Sequence, residues 1–327
     1  MPSTVPEGRG GSGERTHVAA AVVVDAEGRI LIARRPDHVH QGGLWEFPGG
    51  KLELGESAYQ ALVRELHEEV HLDVEHARPL IRIPYDYPDK AVLLDVWRVE
   101  RFDGDASGRE GQPVRWVSRE ELPQYRFPAA NAPIVAAARL PDLYLITGGF
   151  VDFDDFTRRL RRALAAGISL VQLRAPGLKE QAFARLAEVA LSVCRMHGAR
   201  LLLNASPRLA QTLGADGVHL NGERLRACSE RPLGPDRWVA ASVHDIGELE
   251  LAQRLGVDFV VFGPIRATAT HPAAQPVGWQ ALKHLTEQAA LPVYALGGVG
   301  PNDRACAFEH GAQGVAAVRA LWDSEDG

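Results

Sequence analysis

Residues 49–72 read GGKLELGESAYQALVRELHEEVHL. Ser57 followed three positions later by Gln60 is a capping-box pattern, in which each side chain satisfies a backbone N–H at a helix start. Ala58, Leu62, Leu66 and Val70 then recur every fourth position, which predicts a helix with one buried stripe. Glu65, Glu68 and Glu69 stand at i, i+3 and i+4, so this helix carries three carboxylates on one face beside the stripe. Like charges so placed repel one another. A solvated acidic face is one reading. A hard-cation site is the other, because Mg²⁺ or Mn²⁺ takes a few carboxylates together with phosphate oxygens and waters. Gly49 and Gly50 ahead of the helix, Glu56 at its start and Arg64 inside the cluster favour the second reading.

Outward from this helix, VAAAVVVD (18–25), a turn at 26–28 and RILIARR (29–35) predict an antiparallel strand pair. After the helix come LIRIPYDY (80–87), AVLLDVWRV (91–99), VRWVS (114–118) and a helical stretch from Asn131 to about Leu140. Strands mixed with two helices predict an α+β sandwich. From Leu143 the rhythm changes to short apolar runs alternating with amphipathic stretches: LYLIT, SLVQLR, RLLLN, GVHL, WVAASV, FVVFGP, PVYALGG and GVAAVRA. Eight βα units in this compass predict a closed α/β (β/α)8 barrel over 142–324, with an open doubly wound sheet as the competitor on pattern alone. The joint at 139–142 is short and poor in Gly and Ser, so the halves are expected to lie close together.

Composition bounds the functions. The chain has 327 residues, about twice a typical domain, with 46% hydrophobic and 24% charged residues, as in an ordinary globular protein. A formal net charge of −6 argues against a nucleic-acid or anionic-membrane partner, so any phosphate site must be built locally. Cys194, Cys228 and Cys306 are widely spaced and absent from the first half, which fits a reducing compartment and a cytoplasmic location. The apolar run Val18 to Val24 is far too short to span a membrane, and the Gly-, Ser- and Pro-rich residues 1–16 read as a disordered tail.

The stretch 49–72 resembles the Nudix box, G-x5-E-x7-R-E-U-x-E-E-x-G-U with U aliphatic, through Gly50, Glu56, Arg64, Glu65, Leu66, Glu68, Glu69 and Leu72. His71 stands where the pattern has a glycine that ends the helix at positive φ, a conformation His adopts at some steric cost. ARRPDHVHQGGLWEFPGGK (33–51), GREGQPVRWVS (108–118) and FPAANAPIV (127–135) are similar to the MutT-type Nudix hydrolases, which destroy oxidised purine nucleoside triphosphates such as 8-oxo-dGTP. That resemblance implies a Nudix sandwich over 17–138, with metal ligation by Glu65, Glu68, Glu69, the Gly49 carbonyl and Glu110. It implies a Mg²⁺-dependent attack of water on phosphorus, with Arg64 in the catalytic set and Glu65 or Glu110 taking the proton, releasing a nucleoside monophosphate and pyrophosphate. It places Arg35, Phe47 and Asn131 on the nucleotide, the Asn131 amide reading the purine edge. Asn131 also fits the N-cap of the last helix.

In (β/α)8 barrels functional residues sit at the C-terminal strand ends, which here carry Gln172, Arg174, Asn204, His219, Ser242, His244, Gly263, Gly297 and Gly298. The two last glycines suit a cradle of backbone N–H groups for a phosphate ester. VQLRA, LLNAS, GADGVHLNGER, ASVHD, FGPIRATATHP, YALGGV and GVAAVRA resemble, in order and spacing, the thiamine phosphate synthases and their TenI-type relatives. Ala205, Arg224 and Pro176 stand where the synthase pattern has two metal-binding Asp residues and a pyrophosphate-binding Lys. His244 matches the position of a catalytic His in the TenI-type tautomerases. The expectation is therefore a barrel that binds a phosphate ester without synthase chemistry. The alternatives are a Nudix domain acting on thiamine-pathway diphosphates and a barrel that regulates the hydrolase by sensing a ligand.

Overall fold

The computed structural model describes residues 15–38, 41–88, 90–268 and 275–323, with Glu110 described in its backbone alone. Of the stretch read as a tail, residues 1–14 lie outside the described residues and Thr16 already opens the first strand. The first half comprises β1 (Thr16–Val23), β2 (Ile30–Arg34), β3 (Trp45–Glu46), β4 (Gly49–Lys51), α1 (Ala58–Val70), β5 (Asp73–Asp86), β6 (Ala91–Asp103), β7 (Val114–Val117) and α2 (Ala132–Arg139). These form a mixed sheet in the order β4-β1-β6-β5 and an antiparallel sheet β3-β2-β7. The strand period of two gives β1 two working faces. Ala19, Ala21 and Val23 pack with Leu62, Leu66 and Val70 of α1, while Ala20, Val22 and Val24 pack with Ile134 and Ala137 near α2.

The expected pairing of 18–25 with 29–35 does not form. β1 runs parallel to β6 from Thr16 opposite Val92 to Val23 opposite Val99, and antiparallel to β4, while only the bridge between Val24 and Ile30 joins it to the next strand. β2 pairs instead with β3 and β7. A strand that is apolar from Val18 onward and covered there on both faces belongs in the centre of a sheet, where both its edges are also hydrogen-bonded.

The capping box closes as the sequence predicts. The Gln60 N–H donates to Ser57 Oγ at 3.3 Å and the Ser57 N–H to Gln60 Oε1 at 2.8 Å. Ala61, Leu62, Leu66 and Val70 form the buried stripe, with Ala58 only half-buried at its edge. His71 ends the helix at φ 57°, ψ 39°, with Nδ1 3.0 Å from the Ser107 carbonyl oxygen, so the left-handed turn survives the departure from glycine.

The second half comprises β8 (Leu143–Ile146), α3 (Phe153–Ala165), β9 (Leu170–Leu173), α4 (Glu180–Met196), β10 (Arg200–Leu203), α5 (Pro207–Thr212), β11 (Gly217–Leu220), α6 (Gly222–Ala227), β12 (Trp238–Val243), α7 (Ile246–Arg254), β13 (Phe259–Phe262), α8 (Gly278–Thr286), β14 (Val293–Leu296), α9 (Arg304–Glu309), β15 (Gly314–Ala317) and α10 (Arg319–Trp322). All the strand pairs are parallel, and β8 closes the barrel by pairing with both β9 and β15. Alternation again sorts the side chains: Tyr144, Leu170, Leu202, Phe259 and Tyr294 fill the lumen, while Leu145, Val171, Leu203, Val260 and Val293 meet the helices outside.

The halves join at the N-terminal end of the barrel. Leu140 enters the lumen cluster, and the buried Gln313 donates from Nε2 to the carbonyl oxygens of Ala137 and Leu140, each at 3.1 Å. Arg78 on β5 pairs with Asp142 at 2.9 Å and lies over the Phe308 ring. Among the described residues no helix is long and apolar enough to cross a membrane.

Candidate functional site

The carboxylates of α1 are sorted by neighbouring backbone. Gly49 occupies φ 148°, where a Cβ would strike the backbone of Ala19, and its N–H donates to Glu69 Oε2 at 2.9 Å. Gln112 Nε2 donates to Glu69 Oε1 at 3.0 Å from the loop before β7. Gly50 leaves room for the Glu65 carboxylate, which a Cβ would displace. Arg64 grips Glu56 through Nε and an Nη at 2.8 and 2.9 Å, Glu65 at 2.9 Å and the Lys51 carbonyl at 3.1 Å. Arg64 therefore positions the cluster. Its hydrogen bonds, then the Glu53 N–H, and last its charge hold Glu56 down at about 2. Glu69 is pushed up to about 7, first by burial and further by the charges of Glu46 and Glu65, against the hydrogen bonds from Gly49 and Gln112.

Glu65, Glu68 and Glu69 share a crevice with Arg109 and Gln112, two residues that the sequence reading did not single out. Glu68 is exposed and Glu65 turns toward Arg64, so the described residues do not form a ready-made cage of three ligands. The Glu110 side chain lies outside the described residues.

On the other side of Gly49 and Gly50 opens a cleft of about 290 Å³ whose walls include Arg35, Glu46, Phe47, Tyr87, Lys90 and Asn131. Phe47 is buried and stacks on Phe127 with centroids 5.3 Å apart. Arg35 pairs with Glu46. Asn131 stands at the N-cap position of α2, but its side chain makes no capping hydrogen bond, and its Oδ1 is buried with no partner. A buried, unpaired amide oxygen is costly, and this one lines a cleft.

The mouth of the barrel is a pocket of about 710 Å³ that brings together Gln172, Arg174, Asn204, His244, Gly297 and Gly298. Gly297 at φ 94° and Gly298 at φ 67° are crowded by Pro264 and Arg266, which leaves no room for side chains. His244 Nδ1 lies 2.8 Å from Glu248 Oε2. Under the mouth, His219 is held between Tyr144 OH at 3.2 Å and Ser242 Oγ at 2.9 Å. Tyr144, a lumen residue from the opposite side of the barrel, carried no local signal of this contact.

An α+β domain with an acidic helix, joined to a (β/α)8 barrel with a glycine-lined mouth, is the class that fold and site define. The NUDIX domain family model matches residues 19–137 and the thiamine monophosphate synthase (TenI) model residues 143–321, and the chain belongs to both families, as a Nudix hydrolase of the MutT type fused to a thiamine-phosphate-synthase-type barrel. The 8-oxo-dGTP diphosphatase of Escherichia coli (strain K12) is 39% identical over 123 residues, 38% of this chain and 95% of that protein. A thiamine-phosphate synthase of Synechococcus sp. (strain CC9605) is 36% identical over 53% of this chain and 49% of that protein, so the chain spans about half the length of this relative. A solved MutT structure, described for Aliivibrio salmonicida and Vibrio cholerae, is 42% identical and covers 38% of this chain and 98% of its own, with a TM-score of 0.35.

Burial, and then the charges of Arg224 and Arg174, lower His219 from 6.5 to about 3. The unfolded chain therefore takes up a proton below about 6.5 that the folded barrel refuses until about 3. Stability should fall as pH drops through that window, by up to about 1.4 kcal/mol per unit from this residue. Denaturation midpoints measured across the window should show a shallower slope, by one proton, in His219→Gln; an unchanged slope would mean that His219 is not buried in its neutral form.

Proposed function

We propose that the first half is a Mg²⁺-dependent pyrophosphohydrolase of oxidised purine nucleoside triphosphates, converting 8-oxo-dGTP to 8-oxo-dGMP and pyrophosphate. The observation that carries the reading is the buried, unpartnered Asn131 Oδ1 in the cleft beside the carboxylate helix. An amide that does not cap its own helix is free to pair with a base edge, and it both donates and accepts, as an 8-oxo purine requires. The similarity to the Escherichia coli protein named 8-oxo-dGTP diphosphatase supports the same substrate.

The donor set fits a hard divalent cation. The Glu69 carboxylate is desolvated and faces the charges of Glu46 and Glu65, an excess of negative field that a cation of high charge density relieves. Glu65, Glu68 and Glu69 would hold Mg²⁺, or Mn²⁺ in its place, with Glu110 and the Gly49 carbonyl as further donors. The ion supplies charge neutralisation on the phosphates and a lowered pKa for bound water. Arg64 fixes Glu56 and Glu65, Phe47 walls the base, and Glu65 or Glu110 takes the proton of the attacking water. Arg35, held by Glu46, borders the nucleotide.

The barrel is a phosphate-ester binding domain that does not carry out the synthase reaction, because Ala205 and Arg224 offer no anionic oxygen to a metal and Pro176 no ammonium to a diphosphate. The fused barrel also favours a second reading, hydrolysis of a thiamine-pathway diphosphate. A panel of 8-oxo-dGTP, dGTP, thiamine diphosphate and ADP-ribose, with pyrophosphate and phosphate assayed separately, separates the two.

Glu69→Gln should lower kcat by about 10² or more, the scale of losing a key electrostatic group. Folding should be preserved, since a glutamine still accepts from the Gly49 N–H; near-normal turnover in a folded variant would remove the metal-site assignment. Asn131→Ala should cost about 1 to 3 kcal/mol of discrimination between 8-oxo-dGTP and dGTP, read as the ratio of kcat/KM values, with little change in melting temperature. Equal losses on both substrates would instead make Asn131 a structural residue. In the Glu69→Gln chain, where the hydrolase cannot consume the diphosphate, condensation of the pyrimidine diphosphate with thiazole phosphate should be undetectable; measurable product would overturn the reading of the barrel.

A further inference from the structure

Among the described residues, two that are not glycine hold a left-handed backbone, Gln41 at φ 59° and His71 at φ 57°. That conformation is strained for a residue with a side chain, and such strain gathers beside functional sites. Gln41 lines the cleft that Asn131 also lines, and His71 caps α1 two positions after Glu69. A glycine would end the helix without the strain. What the histidine adds is a side chain, whose hydrogen-bond partner among the described residues is Ser107.

His71 Nδ1 lies 3.0 Å from the Ser107 carbonyl oxygen and 3.2 Å from Ser107 Oγ. A carbonyl oxygen only accepts, so Nδ1 carries the proton in the first of these bonds. The loop 104–112 lies against the helix end at other points too. The Ser107 N–H donates to the Val70 carbonyl at 3.2 Å, and Ala106 packs against the cluster that holds Leu66 and Val70. Gly104 passes so close to the His71 carbonyl oxygen that a Cβ would overlap it. At the far end of the loop Gln112 reaches back to α1, donating from Nε2 to Glu69 Oε1 at 3.0 Å. One tight turn spans the interval, closed by the Gln112 N–H on the Arg109 carbonyl at 3.2 Å. The segment is thus fastened to one helix at both ends, and the placing of Gln112 depends on the hold at Ser107. Gly49 fixes one oxygen of Glu69 and Gln112 the other, so the two donors together set the plane of that carboxylate.

We infer that His71 is a positioning residue of the hydrolase: it clasps the loop 104–112 to the end of α1 and so holds Gln112 on Glu69. As far as Glu69 holds a cation, the inference rests on the metal reading above. Strain at one backbone position is exchanged for order in the loop that orients a ligand.

The test compares the full chain with His71→Gly, His71→Asn, Gln112→Met and the double variant His71→Gly/Gln112→Met. It reads hydrogen exchange of the amides 107–112, melting temperature, and Mn²⁺ affinity by electron paramagnetic resonance without nucleotide. In His71→Gly exchange across 107–112 should quicken by about three- to tenfold, the scale of one lost hydrogen bond. Its melting temperature should hold, since relief of strain at residue 71 offsets that loss. His71→Asn should restore slow exchange, because Asn also adopts the left-handed region and its amide nitrogen stands where Nδ1 stood. Gln112→Met should weaken Mn²⁺ binding by about tenfold or more, the scale of losing a partner of a ligating side chain. His71→Gly should weaken it by a smaller factor, and the double variant no further than Gln112→Met alone, because the one residue acts through the other. The inference is overturned if exchange is unchanged in His71→Gly, if His71→Asn does not restore it, if Mn²⁺ affinity stays put while exchange quickens, or if the losses of the two single variants multiply. If the unaltered chain takes up no Mn²⁺, the metal reading falls, and exchange alone decides whether His71 holds the loop.

Discussion

The hydrogen bond from the Gly49 N–H to Glu69 ties three parts of the hydrolase together. It fastens the acidic helix to the edge of the mixed sheet, it gives the buried Glu69 carboxylate a donor, and it links the crevice that Glu69 lines to the cleft that Gly49 lines. Only glycine serves at this place, because the conformation at φ 148° and the approach to the Ala19 backbone exclude a Cβ. Arg64 completes the arrangement from the other side. By engaging Glu56, Glu65 and a strand carbonyl at once, it keeps the helix face from relaxing under its own repulsion.

What the sequence made legible was whatever is written in local spacing. The capping box at Ser57, the buried stripe of α1 and the eight short strands of the barrel are each set by residues within a few positions of one another, and each forms. The pairing of β1 was not legible in the same way. Adjacent apolar runs suggest a hairpin, yet the partner of β1 is β6, some seventy residues away, and the choice is made by burial on both faces. The sites divide similarly. The glutamates of α1 announce themselves, whereas Arg109, Gln112 and Tyr144 reach their sites from distant segments. In the sequence Asn131 fits both capping and base recognition; in the structure its side chain makes no cap bond.

The two sites open in different directions. The hydrolase packs on the N-terminal end of the barrel through Leu140, Gln313 and Arg78, while the mouth with Gly297 and Gly298 lies at the C-terminal end of the strands. Any influence of a barrel ligand on the hydrolase would have to pass through packed structure, and the Gln313 hydrogen bonds to the Ala137 and Leu140 carbonyls join the barrel to the end of α2, the helix that Asn131 precedes.

The halves also solve one electrostatic problem in opposite ways. Phosphate esters are anionic, and the chain as a whole carries a net charge of −6, so each site must create its own positive field. In the hydrolase, under the proposed reading, the field would come indirectly, from a hard cation held by carboxylates whose repulsion Arg64 offsets in part. In the barrel, under the proposed phosphate-ester reading, the backbone N–H groups at Gly297 and Gly298 and the half-buried Arg174 would supply it directly. An Asp at 224 would convert the second arrangement toward the first, since it would remove a guanidinium and restore an anionic oxygen in one step. Ala205 and Pro176 would still withhold the second carboxylate and the ammonium, so that one change would not restore the synthase donor set.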